Sequence, residues 1–345
     1  MEKRRKPFKI ILIAICVTVG VLAAASVIYV DSFLSRISAP ENIEQIAPEN
    51  EFFEYDGIEV NDAPVIDPMD IVWPAGEQPE ADQPEAEPPA PPATSTGKEV
   101  VNILLIGQDK RPGEKRARSD AMIIASYSEN DGKLTLISLM RDMYVPIPGY
   151  SDNRINAAYQ FGGMKLLDKT IEKNFGVGID GNFEINFEGF SQLVDMLGGI
   201  DLSLNTTEAT HLNKKFGWKL ARGKNHLNGQ QTLEYARIRY VGNGDFERTE
   251  RQRIVLRQIF DGIMQLNLAK KYQLLEKMLP FLTTDMSKQK ILGYVSMVLA
   301  KGVTRTESFR IPADGSYKQA KVRNMAVLVP NLTKIRALIN NYIYK

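Results

Sequence analysis

The chain has 345 residues, 43% of them hydrophobic, and 43 basic against 42 acidic side chains leave a formal charge of +1. One cysteine and two histidines exclude a disulfide framework and a histidine-rich zinc centre. No GxxxxGKS/T loop and no HExxH pattern occurs, which excludes a P-loop nucleotide site and a zinc-protease helix.

The near-neutral total hides a strong segregation of charge. Residues 1–9, MEKRRKPFK, carry +4 and read as a basic cytoplasmic tail. Residues 10–30, IILIAICVTVGVLAAASVIYV, are uncharged and mostly apolar, and contain Cys16. As a helix they span roughly 30 Å, the thickness of a hydrocarbon core. Basic residues before this run orient it with the amino terminus inside and the rest of the chain outside the cell membrane. A cleaved signal peptide is the competing reading, but the run is longer than a signal's apolar core.

Residues 31–97 follow as an acidic, Pro-rich extracellular linker. From residue 37 onward it contains no Lys or Arg, fifteen acids and eleven of the eighteen prolines, a composition that keeps a chain extended. Its aromatic pieces, EFFEY and DIVWP, are candidates to dock on the domain. The remainder, 98–345, carries +12 and favours anionic partners.

In chain order, VNILLIG predicts a buried strand, and DAMIIASYS and KLTLISLM predict a hairpin closed by Asp131-Gly132. INAAYQFGGMKLLDKTIEKNFG predicts a helix ending at Gly176. NFEINF predicts a strand, FEGFSQLVDMLGG a helix and IDLSL a strand. LNGQQTLEYAR opens on a capping box at Asn228 and Gln231. FERTERQRIVLRQIFDGIMQL predicts a long helix with Ile254, Val255 and Ile259 on its buried side. The tail predicts two or three further helices and one strand, ESFRIPA. The expected fold is α/β, a central mixed β-sheet flanked by helices and preceded by a single N-terminal transmembrane helix. The expected division is 98–265 as the catalytic domain and 266–345 as a C-terminal helical extension packed on it.

The stretch YARIRYVGNGDFERTERQR places five arginines between positions 237 and 253, with Asp245 among them. On a strand, Arg237 and Arg239 share one face and Ile238 takes the other. On the following helix, Arg248, Arg251 and Gln252 fall at i, i+3 and i+4 on one side. Guanidinium forks match phosphate oxygens bidentately. Arg253 and Arg257 read as a solvated face paired with Glu247 and Glu250. Upstream, Asp109 and Asp120 follow and precede strands beside arginines; two such carboxylates either cap the strands or hold a hard cation that bridges phosphates. Arg141 and Asp142 follow a strand directly, with Asn153, Arg154 and Asn156 close behind. The apolar segments MIIASY, FEINFEGF and LVDML read as ordinary core as readily as ligand lining.

The ordered set LLIGQDKR, RSDAM, LISLMRDMYVPIP, RINAAYQFGG, LNGQQTLEYARIRY and GDFERTERQR resembles the LytR-CpsA-Psr family over about residues 98–260. The resemblance implies an extracellular, membrane-anchored, Mg²⁺-dependent (or Mn²⁺-dependent) phosphotransferase. Its implied reaction moves an anionic glycopolymer, of teichoic acid or capsule type, from a polyprenyl-pyrophosphate carrier to peptidoglycan. It implies that Asp109 and Asp120 hold the metal. It implies that Arg118, Arg141, Arg237, Arg239, Arg248 and Gln252 hold the pyrophosphate, with Asp245 an acid in the same loop. It also implies an apolar pocket for the lipid. Arginines and a metal are what charge developing at phosphorus requires. Asp109 and Asp245 are both candidates to take the hydroxyl proton, and the sequence does not choose between them. A lipid-pyrophosphate hydrolase uses the same groups. A non-enzymatic regulator is the third reading, but a basic head outside the cell with few interleaved aromatics argues against nucleic acid as partner.

Overall fold

The computed structural model describes residues 34–40, 64–72, 100–108, 119–239 and 245–344. The expected tail 1–9, the expected membrane segment 10–30, Asp109 and Arg118 lie outside the described residues, as do the side chains of Asp120 and Asp245. Among the described residues no helix is long and apolar enough to cross a membrane.

The elements run β1 (Val100–Gln108), β2 (Ser119–Ser128), β3 (Lys133–Leu139), β4 (Tyr144–Val145), β5 (Asn153–Arg154), α1 (Ile155–Phe175), β6 (Gly181–Asn186), α2 (Phe187–Met196), β7 (Ile200–Leu204), α3 (Thr206–Phe216), β8 (Gly223–Leu227) and α4 (Gly229–Ala236). Next come α5 (Asp245–Gln265), α6 (Leu268–Met278), β9 (Leu282–Thr284), α7 (Lys288–Lys301), β10 (Arg305–Ile311), β11 (Tyr317–Val322), β12 (Met325–Pro330) and α8 (Leu332–Ile343). Six strands form one sheet in the order β10-β3-β2-β1-β6-β9. It is mixed: β1–β2, β2–β3 and β6–β9 are antiparallel, while β1–β6 and β3–β10 are parallel.

Alternation along the strands divides the sheet into two faces. Leu104, Ile106, Met122, Ile124 and Ile137 are buried against α1, α8 and the β11–β12 hairpin. On the opposite face α5 packs over β3 and β10. A second cluster, including Leu202, Leu212, Tyr235, Ile238, Val255 and Ile259, ties α2 through α5 to the β7–β8 ribbon.

The predicted hairpin forms with Gly132 at φ 65°, and the first long helix closes at Gly176 in the left-handed conformation. That helix is broken by Gly163 (φ 66°, ψ −156°), which its apolar spacing did not reveal. Val255 and Ile259 are buried as expected, but Ile254 is 40% exposed. The tail differs most from expectation, with four strands in place of one. Two of them, β9 and β10, are the outer strands of the central sheet, so residues beyond 266 are woven into it. The linker is not wholly unpacked either. Leu34 is buried with Leu279, Met286 and Ile291. Val65 bridges to Lys321, and Ile71 of DIVWP packs against the main core.

Candidate active site

The arginine-rich passage begins at α4. Asn228 Oδ1 accepts from the Gln231 amide at 2.9 Å, and Gln231 Oε1 accepts from the Asn228 amide at 3.1 Å, the capping box read from the sequence. Gly229 lets this helix meet α2 closely, since a Cβ there would stand 2.1 Å from the Ser191 carbonyl oxygen. Its amide donates to Asp195 Oδ1 at 2.7 Å.

Arg237 is the C-cap of α4 (φ −96°, ψ −2°), and residues 237–239 form a turn and loop where a strand was expected. Helix propagation through LEYA ends there because Ile238 must enter the second core, where it is 3% exposed. The alternation survives this change: Arg237 is exposed and Arg239 half-buried, on either side of a buried residue. Arg237 lies over the Phe187 ring, Cζ to centroid 4.4 Å, and its Nη1 is 3.4 Å from Glu234 Oε1.

The α5 residues expected on one side separate into two roles. Arg248 and Gln252 face a cleft together with Arg237 and Arg239. Arg251 turns away and is 2% exposed. Its Nε donates to Glu208 Oε1 at 2.7 Å, Nη2 to Glu247 Oε2 at 2.7 Å and Nη1 to the Ile238 carbonyl at 3.0 Å. Glu208 meanwhile closes the capping box of α3 through Oε2 and the Asn205 amide. Arg253 also departs from expectation. It is half-buried, its Nη1 is closed off from solvent, and burial lowers its pKa with Arg310 adding to the effect. Arg257 is exposed, as expected.

The cleft holds about 560 Å³ of empty space, part of it open solvent. Its polar lining is Arg237, Arg239, Arg248, Gln252 and Asn186. Gly107 and Ala121 of the sheet, Ile185, Phe187 and Phe190 around the β6–α2 junction, and Leu233 and Ala236 of α4 line the rest. Phe187 and Phe190 come from FEINFEGF, a segment whose apolar residues read equally well as core. MIIASY and LVDML contribute Met122, Ile124 and Val194 to the core.

At the floor, Gly107 pairs with Ala121 and Gln108 with Ser119, so Asp120 is the extra residue of a β-bulge. Bulges of this kind re-aim the chain beside functional sites. Asp120 thus sits at this end of β1 and β2, while Asp109, next after Gln108 in sequence, lies outside the described residues. Their donor chemistry, carboxylate oxygen only, fits a hard divalent cation completed by phosphate oxygens. Among the described residues no group of three or more His, Cys, Asp or Glu is placed to hold a metal. Asp245 is the first residue of α5, where the helix dipole favours an acid.

Arg141 is not among the residues lining the cleft. It lies just past β3 at 3% exposure, with Nε 3.8 Å from Asp142 Oδ2. Asp142 Oδ1 is in turn 3.4 Å from Arg154 Nε, and Arg154 Nη2 donates to the Ala326 carbonyl at 2.8 Å. Asn153, Arg154 and Asn156 are buried around this pair.

The description LytR_cpsA_psr family matches residues 76–341, more than three quarters of the chain. The chain belongs to that family. LytR_cpsA_psr relatives include "Regulatory protein MsrR" of Staphylococcus aureus (strain Mu50), 36% identical over 168 residues, covering 49% of this chain and 50% of that protein. "Polyisoprenyl-teichoic acid--peptidoglycan teichoic acid transferase TagU" of Enterococcus faecalis is 38% identical over 180 residues, covering 51% of this chain and 58% of that protein. The chain thus spans about half the length of the curated relatives it matches. Among solved structures, "TagT bound to LI-WTA" superposes with a TM-score of 0.59 at 24% identity, over 72% of this chain and 92% of that one. A TagT structure with bound octaprenyl pyrophosphate lipid gives 0.56 at 22%, over 72% and 91%. At these identities the likeness establishes the fold of a LytR_cpsA_psr domain.

Proposed function

We propose that this protein is a phosphotransferase that moves an anionic cell-wall glycopolymer from a polyprenyl-pyrophosphate carrier to peptidoglycan. The observation that carries this reading is a cleft lined both by Arg237, Arg239, Arg248 and Gln252 and by the apolar Ile185, Phe187 and Phe190. A lipid pyrophosphate has the same two halves, a doubly anionic head on an apolar chain. The transferase name of the Enterococcus faecalis relative and the lipid named in the TagT structure support the assignment.

In the proposed reaction the arginines hold the pyrophosphate oxygens as fixed, permanently charged donors, and they gain most where charge develops on the leaving phosphate. Phe187 seats Arg237, and burial fixes Arg248. Asp109 and Asp120 would hold Mg²⁺ (or Mn²⁺), which would supply neutralisation of phosphate charge when bound. An acceptor sugar hydroxyl attacks the phosphorus attached to the glycan, and the lipid phosphate departs; Asp109 and Asp245 are the candidates to take the hydroxyl proton. Arg118 and Arg141 are assigned to the pyrophosphate by family resemblance. The apolar segment 10–30 anchors the domain outside the cell membrane in this reading.

The test is donor consumption by the full chain in detergent, with and without peptidoglycan oligomers. Acceptor-dependent consumption is expected; equal consumption without acceptor would assign a hydrolase.

A further inference from the structure

The sequence reading left Arg253 on a solvated face, and the structure does not leave it there. On α5, Phe246 and Arg253 are seven residues apart and therefore on one flank. Helical side chains lean toward the amino terminus, which directs Arg253 toward the turn of Thr249, and Arg310 is near enough to help burial lower the Arg253 pKa. Arg310 of β10 completes the group. Its Cζ is 4.8 Å from the Phe246 ring centroid, and Phe246 stacks on Tyr317 at 5.6 Å.

Register places this group beside the cleft. Leu105, Ile123, Ser138 and Arg310 form one row across β1, β2, β3 and β10. Gly107 and Ala121, which line the cleft, are two residues along their strands from that row and so on the same sheet face. Arg310 is two strands across and two residues along from Ala121, about 12 Å at ordinary strand spacing and rise. The α5 helix therefore has the cleft on one flank, with Arg248 and Gln252, and the second arginine pair on the other.

Two features point to an anion. Arg253 Nη1 is shut off from solvent with no hydrogen-bond partner among the described residues, although a buried guanidinium donor left unmade is costly. Arg310 Nη1 donates to the Pro312 carbonyl, and its Nη2 is held at 2.5 Å by Asp314, a carboxylate whose side chain is 86% exposed and free to exchange for another. Glu250, the acid nearest in charge effect to Arg253, is itself exposed.

We propose that Arg253 and Arg310, the latter seated on Phe246, form a second anion site that takes a phosphate further along the glycan whose pyrophosphate end occupies the cleft. This rests on the transferase reading above. A glycan phosphate is favoured as occupant because it is tethered to the head group next door, which raises its effective concentration.

The test is titration calorimetry on the full chain in detergent, with a soluble glycerol-phosphate oligomer and, separately, inorganic pyrophosphate. Arg253→Gln and Arg310→Gln are each expected to weaken the oligomer about tenfold, the loss of one charge-assisted contact, and to leave pyrophosphate unchanged. Arg248→Gln should weaken pyrophosphate and spare the oligomer. Asp314→Asn should tighten the oligomer severalfold by freeing Arg310, and this arm stands even if Arg310→Gln fails to fold. Unchanged oligomer binding in Arg253→Gln and in Asp314→Asn would overturn the site. So would variants that weaken a muropeptide and spare the oligomer. Failure of pyrophosphate to bind wild-type protein would instead count against the cleft assignment, with the oligomer arms still deciding the second site.

Discussion

Arg251 Nη1 donates to the carbonyl oxygen of Ile238 at 3.0 Å, and Ile238 lies between the two cleft arginines, Arg237 and Arg239. The same guanidinium holds Glu208 of α3 and Glu247 of its own helix. Three elements are thereby fixed relative to the cleft by one side chain that does not line it. Replacing Arg251 by Leu strands a buried carboxylate, Glu208, and should cost about 3–5 kcal/mol. Arg251→Lys keeps the charge but cannot serve three directions at once. It is expected to retain the fold and to raise the Kd for a lipid pyrophosphate about tenfold through a displaced Ile238 segment. Urea unfolding and lipid binding on both variants check this; unchanged binding in a folded Arg251→Lys would refute it.

Phe187 should matter more than its anonymity in the sequence suggests. Phe187→Ala removes the surface under Arg237 and part of the apolar wall. Loss of the cation–π contact alone is worth about 0.5–2 kcal/mol. Binding of a short polyprenyl pyrophosphate should weaken by at least about tenfold, and that of inorganic pyrophosphate by less, since only the lipid touches the wall.

Asp168 gives the fold a pH dependence of defined sign. Burial, offset in part by the Asn182 hydrogen bond and reinforced by Asp285 and Glu172, lifts its carboxyl from 3.8 to about 7. Asn182 Nδ2 donates both to Asp168 and to Asp285, joining α1 to β6 and the segment after β9. The folded state therefore holds a proton that the unfolded chain releases, and stability falls as pH rises from about 4 to about 7. Asp168→Asn keeps an acceptor for Asn182 and removes that loss. It should be stabilising by about 4 kcal/mol at pH 8, by less than half of that at pH 5 and not at all below pH 4, read from urea midpoints at the three pH values.

The tail should not be separable. Ending the chain at residue 301 removes β10 from the sheet edge and strips Ile311, Val322, Val327 and Ile335 from the main core. Such a chain is expected to aggregate or to lose its cooperative thermal transition. A soluble, cooperatively melting product would show that the sheet is complete without β10.

Much of this was legible locally. Strands β1 to β3, the turn at Gly132 and the capping box at Asn228 and Gln231 follow from alternation and cap chemistry within a few residues. The polar residues Arg237, Arg239, Arg248 and Gln252 were readable as a phosphate clamp, and they line one cleft. What was hidden depends on distance along the chain. Arg251 and Arg248 have the same helical spacing to their neighbours, and only the partner Glu208, 43 residues away, separates an anchor from a ligand-facing group. Arg237 and Arg239 alternate around a buried residue whether on a strand or past a helix end, so the pattern could not distinguish them. YKQAKV carries too little apolar alternation to announce β11, which exists because β12 pairs with it.

The most direct measurement is mass spectrometry of reactions containing the full chain, a polyprenyl-pyrophosphate-linked glycan, Mg²⁺ and uncrosslinked peptidoglycan oligomers. The expected product is glycan joined to peptidoglycan through a phosphodiester, at least about a hundredfold less abundant with Arg237→Ala or Arg248→Gln, as for loss of one transition-state donor. Free glycan phosphate with no peptidoglycan adduct, or adduct formation indifferent to both substitutions, would contradict the account.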